Sequence, residues 1–147
     1  MVGVYWLVRV AMAEARATTT RRRVLLVEDH DDTAEVLTLL IARLGHAIET
    51  VPSRLDVRGI ARRFDPDVVI LDYEIPDPKG LDALRTLRDD SRCPDRFVAV
   101  ISGWSRPQDY ARAREAGADE YIVKPLSLVK LEAILQHSDS RRHRTIA

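Results

Sequence analysis

Glu28-Asp29, Asp72, Ser102 and Lys124 are the residues whose types and placement allow joint chemistry, because each stands where a short apolar run ends. The runs at residues 24–27, 68–71, 97–101 and 121–123 are rich in Val, Ile and Leu, the composition of strands buried on both faces. Helical-period segments separate them, which is the pattern of a parallel sheet wrapped by helices. Crossover connections bring all strand C-termini to one edge, and open α/β sheets bind ligands there. Three carboxylates, a hydroxyl and an ammonium are therefore expected to share one pocket.

Clustered carboxylates repel one another unless they share a proton or bind a cation. With no His or Cys in the set, the donors are hard oxygens, which suit Mg²⁺ or the similar Mn²⁺ rather than zinc. A divalent ion lets Asp72 stay ionised at neutral pH, and an ionised carboxylate is a nucleophile toward phosphorus, giving an aspartyl phosphate. Lys124 and the metal then neutralise the oxygens of the transferring group, and Ser102 donates a hydrogen bond to the oxygen left over.

The elements that must hold these residues are legible from period and punctuation. A helix is expected from Asp32, with Val36, Leu37, Leu40, Ile41 and Leu44 on one apolar face and Gly45 ending it. A short strand follows at 47–51, then a helix at 55–63 capped by Ser53. Gly80 opens a helix carrying Leu81, Leu84 and Leu87, and Ser105 with Pro107 begins another that runs to Gly117. Ser127 caps a last helix with Leu128, Leu131, Ile134 and Leu135 inward.

A chain of 147 residues with 46% hydrophobic content supports one domain and one core. The formal net charge is zero, but five arginines against Glu14 put +4 on the first 23 residues, and three against Asp139 put +2 on the last ten, leaving −6 on residues 24–137. An acidic body excludes nucleic acid as its main partner, because duplex affinity comes from clustered Lys and Arg. Cys93 is the single cysteine, so no internal disulfide forms and a cytoplasmic setting is expected. The apolar stretch 2–12 is too short to span a bilayer, and its Arg9 lies inside the run, unlike a secretory signal. The expected organisation is an extension over 1–22, a folded body over 23–137 and a basic tail over 138–147. Both ends are expected to be disordered.

Over about residues 23–137 the sequence resembles the bacterial response-regulator receiver domain, the family of the chemotaxis response regulator. The residues that carry the likeness are VLLVED ending at Asp29, PDVVILDYEIP around Asp72 with Gly80 eight residues on, Ser102, and AGADEYIVKP ending at Pro125. The hydroxyl lies thirty residues past the acid and the lysine twenty-two further, the intervals of that family. The resemblance implies a flavodoxin-like (βα)5 doubly wound fold with five parallel strands in order 2-1-3-4-5. It also implies phosphorylation of Asp72 by a sensor histidine kinase or a histidine phosphotransfer protein, with Glu28, Asp29, Asp72 and the Glu74 carbonyl holding the metal. Ser102 and Tyr121 match the family's switch pair, and Lys124-Pro125 its cis bond. Phosphorylation adds about −1.5 to −2 charges, and in the family it remodels the face of the fourth helix, fifth strand and fifth helix, which takes the downstream protein. A stand-alone monomer or weak homodimer with no membrane partner is expected, catalysing only its own phosphorylation and dephosphorylation. Glu74 and Trp104, two residues past acceptor and hydroxyl, are expected to hinder an attacking water.

Two rivals are weighed against this reading. A haloacid-dehalogenase-type phosphatase would have a second Asp where Glu74 stands, and a cap insertion that this sequence lacks. A degenerate receiver acting as a scaffold would have lost an acid or the lysine, and all are present.

Overall fold

A computed structural model of the 147-residue chain describes residues 20–52, 56–73, 78–91 and 95–137. The elements run β1 (Arg23–Val27), α1 (Asp31–Arg43), β2 (Ala47–Val51), α2 (Val57–Phe64), β3 (Val68–Asp72), α3 (Pro78–Arg88), β4 (Phe97–Ser102), α4 (Pro107–Ala116), β5 (Glu120–Val123) and α5 (Leu128–His137). All strand pairs are parallel and the order is β2-β1-β3-β4-β5, as the resemblance implies. Residues 1–19 of the expected extension, the tail, Cys93 and Glu74 lie outside the described residues, while Arg22, placed in the extension by the sequence reading, is buried beside β1.

The pleat divides each strand between two cores, because successive side chains point to opposite faces. Leu25, Val27, Val69, Leu71, Val98 and Val100 pack under α2, α3 and α4. Val24, Leu26, Val68, Ile70, Ala99 and Ile101 pack under α1 and α5. Fully apolar runs thus form strands because both faces are covered. Leu84, Ile41, Leu131 and Ile134 close these layers with no more than 1% exposure, so truncating any one to Ala costs roughly 2–5 kcal/mol.

Three expectations change at helix ends and faces. Val36 is 63% exposed, so the inward stripe of α1 narrows to Leu37, Leu40, Ile41 and Leu44, while Val36 borders a cleft instead. The cap of α2 is Asp56, whose carboxylate accepts the Gly59 N–H at 2.8 Å, and Ser53 lies outside the described residues. A methyl on Gly59 would collide with that carboxylate, so the glycine belongs to the cap. Arg106 rather than Ser105 precedes the first turn of α4, with Pro107 supplying its pre-set φ.

A second polar belt lies at the N-terminal edge of the sheet. Arg22, His46, Asp67, Arg96 and Asp119 each immediately precede a strand, and all are largely buried. Backbone groups satisfy several of them: Asp67 accepts the Arg23 N–H at 2.8 Å, His46 Nδ1 accepts the Arg22 N–H at 3.1 Å, and Asp119 accepts the Val98 N–H at 2.8 Å. Arg88, at the end of α3, joins Asp119, the Gly117 carbonyl (2.7 Å) and the Arg96 carbonyl (2.6 Å). Asp90 accepts from Arg62 at 3.1 Å and lies 3.8 Å from Arg96. This belt ties α2, α3, α4 and three strands together far from the opposite edge.

Candidate functional site

Glu28, Asp72, Ser102 and Lys124 end or directly follow their strands, so the ladder itself places them. The Glu28 N–H bonds the Val51 carbonyl at 3.0 Å and the Lys124 N–H bonds the Ser102 carbonyl at 2.8 Å, extending the sheet by one residue at each position. Lys124 Nζ donates to Asp72 Oδ2 at 2.8 Å, and the peptide bond from Lys124 to Pro125 is cis. Glu28 is buried, and its Oε1 accepts the His30 N–H at 2.8 Å. Ser102 is fully buried, and its Oγ accepts the Trp104 N–H at 3.1 Å.

The electrostatics are unbalanced at two atoms. Glu28 Oε2 and Asp72 Oδ1 are buried with no donor, and the two carboxyl groups lie against one another. Burial first, and then the Glu28 carboxyl, push the Asp72 carboxyl from 3.8 up to about 7, with Lys124 pulling the other way. Opposed carboxylates need a proton or a cation between them, and the all-oxygen donor set fits a hard divalent ion. Asp29 is exposed, and among the described residues no group of three or more His, Cys, Asp or Glu side chains is gathered to hold a metal. Glu28 and Asp72 are in contact, and the Glu74 carbonyl lies outside the described residues.

A largely apolar cleft of about 700 Å³ opens beside these groups, lined by Leu26, Val36, Ile70, Lys124 and Leu126 among others. Tyr121 is half-buried, its hydroxyl donates to the Trp104 carbonyl at 3.0 Å, and its ring lies 4.4 Å from that of Tyr110. Burial raises its hydroxyl pKa, against a neighbouring Ser102 contact that lowers it. Sequence reasoning places Trp104 near the site through its spacing from Ser102, yet misses that its peptide groups bridge Ser102 and Tyr121. A hydrogen bond that depends on a loop's path leaves no pattern in residue spacing.

The response regulator receiver domain family matches residues 24–136 of the chain. The DNA-binding response regulator MtrA of Mycobacterium tuberculosis is 32% identical over 115 residues, covering 78% of this chain and 49% of that protein. The chain therefore spans about half the length of that relative. The fold matches the Vibrio cholerae chemotaxis protein CheY4 at a TM-score of 0.72 and 22% identity, over 81% of this chain and 99% of the other. It also matches the receiver domain of a Pseudomonas aeruginosa sensor histidine kinase, solved with magnesium in its active-site cleft, at a TM-score of 0.70 and 24% identity over 82% and 99% of the two chains. Receiver domains are in general phosphoacceptors rather than enzymes, they bind Mg²⁺ in their active sites, and they interact with histidine kinases and downstream effectors. With the five-stranded parallel sheet and the acid pocket at its C-terminal edge, the chain belongs to the response regulator receiver family and is a phosphoacceptor module of the flavodoxin-like fold.

Proposed function

We propose that Asp72 is the phosphorylated residue, receiving the group from the phosphohistidine of a sensor histidine kinase or a histidine phosphotransfer protein. The observation that carries this reading is the buried Asp72 carboxylate, with one oxygen 2.8 Å from the Lys124 ammonium and the other without a donor beside Glu28. Glu28, Asp29, Asp72 and the Glu74 carbonyl would hold Mg²⁺ or Mn²⁺. When bound, the ion supplies positive charge that keeps Asp72 ionised and neutralises phosphoryl oxygens. One Asp72 oxygen attacks phosphorus as the phosphorus–nitrogen bond breaks, and the imidazole nitrogen keeps the electron pair. Lys124 holds a phosphoryl oxygen, and Ser102, whose Oγ already accepts the Trp104 N–H, keeps its own proton for another.

The exposed Val36 of α1 flanks the cleft that leads to Asp72, and the phosphodonor approaches over it. Signal leaves through Ser102 and Tyr121 to the α4, β5, α5 face, where Tyr110 is 41% exposed for a downstream protein. Retention of both acids and the lysine favours this over a scaffold without phosphate chemistry. Intact mass after incubation with acetyl phosphate and Mg²⁺ tests the assignment. Wild type gains one phosphoryl group and Asp72→Asn gains none; equal labelling of both would move the acceptor elsewhere.

A further inference from the structure

Trp104 joins the two proposed switch residues through its own peptide groups. Its N–H donates to Ser102 Oγ at 3.1 Å, and its carbonyl accepts the Tyr121 hydroxyl at 3.0 Å. The backbone alone gives this bridge little stiffness, because Gly103 beside it is a conformationally free residue with open space where a Cβ would stand. The restraint comes from side chains. The indole is 40% exposed, yet the Arg106 guanidinium lies over it, 4.9 Å from the ring centroid. Arg106 is fixed in turn by Asp109, with Nε 2.9 Å from Oδ2 and Nη2 3.2 Å from Oδ1. Asp109 has a buried side chain in the first turn of α4, where helix N–H groups favour a carboxylate.

We propose that Arg106 and Asp109 are positioning residues that pin Trp104 between Ser102 and Tyr121, and so set how fully a phosphoryl group on Asp72 is felt at β5. The pinning stands on the contacts above; the coupling to β5 rests on the receiver reading. A pull on the Ser102 hydroxyl drags the Trp104 N–H, and a clamped indole passes that displacement to the carbonyl that holds Tyr121. Without the clamp the indole swings and the carbonyl lets go. A planar guanidinium serves both the two-pronged pair and the ring stack, and an ammonium cannot.

The test uses the full chain carrying Trp6→Phe, which leaves Trp104 as the one indole of the two in the sequence. In the first arm, without metal or phosphoryl analogue, acrylamide quenching of Trp104 rises by up to about twofold in Arg106→Gln, Asp109→Asn and Arg106→Lys, the gain open to a ring already 40% exposed that loses its cation–π cover. Arg106→Lys keeps a cation beside the buried Asp109 carboxylate, so it still reads the pinning should Asp109→Asn or Arg106→Gln unfold. In the second arm, Mg²⁺ and beryllofluoride change Trp104 emission in the parent, and the Arg106 variants lose at least about half that amplitude while acetyl phosphate still labels them. Unchanged quenching in the Arg106 variants overturns the pinning, and a full emission response in them overturns the coupling. A parent chain that answers neither beryllofluoride nor acetyl phosphate overturns the receiver reading and the coupling with it, while the quenching arm still decides the pinning.

Discussion

The two edges of the sheet both carry charged groups and use them in opposite ways. At the N-terminal edge, Arg22, His46, Asp67, Arg96 and Asp119 lie before their strands and are tied through backbone N–H and carbonyl groups or to opposite charges. At the C-terminal edge, Glu28 and Asp72 face each other with orphaned oxygens and a single ammonium between β3 and β5. One edge sets opposite charges against each other, with Arg22 Nη2 and Arg96 Nε and Nη1 still without hydrogen-bond acceptors, and holds helices in place. The other is left incomplete, and an incomplete pocket is what a cation and a phosphoryl group can complete. Stability and reactivity are thereby separated by the length of a strand.

Removing Asp90 probes the N-terminal edge hardest, because it takes from the buried Arg96 guanidinium the nearer of its two carboxylates, Asp65 lying at 4.0 Å. Asp90→Ala is expected to lose roughly 3–5 kcal/mol in chemical denaturation, with the remaining folded protein still labelled by acetyl phosphate. A shift under about 1 kcal/mol would mean that the belt is decoration. Lys124→Ala should do the reverse, slowing phosphorylation by about 100-fold while leaving the N-terminal edge intact. Stopped-flow labelling alongside a melting curve separates the two effects.

The smaller effects concern cation and proton. Millimolar Mg²⁺ should raise the unfolding midpoint of wild type at neutral pH and leave Asp72→Asn nearly unmoved, because the asparagine removes the charge that needs completing. The edges should also respond to pH with opposite signs. Without metal, Asp72 titrates near 7 in the folded chain against 3.8 in the ordinary range, so its contribution to stability is full below about 4 and is lost as pH rises toward 7. His46 is held below 6.5 by burial and then by Arg22, and its Nδ1 is already an acceptor. Its contribution is therefore full above 6.5 and is lost on acidification, with a slope of at most about 1.4 kcal/mol per pH unit. Melting curves from pH 4 to 8 on His46→Gln should lack that acid limb; an unchanged limb would assign it to another group.

The C-terminal edge is legible in the sequence because each reactive residue terminates a run of Val, Ile or Leu, and that boundary fixes position in a parallel sheet. The same logic, applied to the starts of the runs, points to Arg22, His46, Asp67, Arg96 and Asp119, but without a chemical motif to draw notice they read as ordinary loop polarity. Val36 obeys the helical stripe and is still exposed, since periodicity cannot register a cleft beside the helix. Arg106 and Asp109 are three apart, a spacing open to pairing on any helix. That their pair lies over an indole depends on the course of the loop after Ser102, which no short-range rule supplies.

The open sheet has two margins, β2 and β5, and both are short: five and four residues. Pro52 stands directly after β2 and Pro125 two residues past β5, each lacking the N–H that an added strand would use. Glu49 on β2 is occupied by Arg63, and Glu120 opens β5 with an exposed charge. Intermolecular strand pairing finds little template on either margin, so crowded solutions of this protein should resist cross-β association even when the phosphoryl pocket is empty.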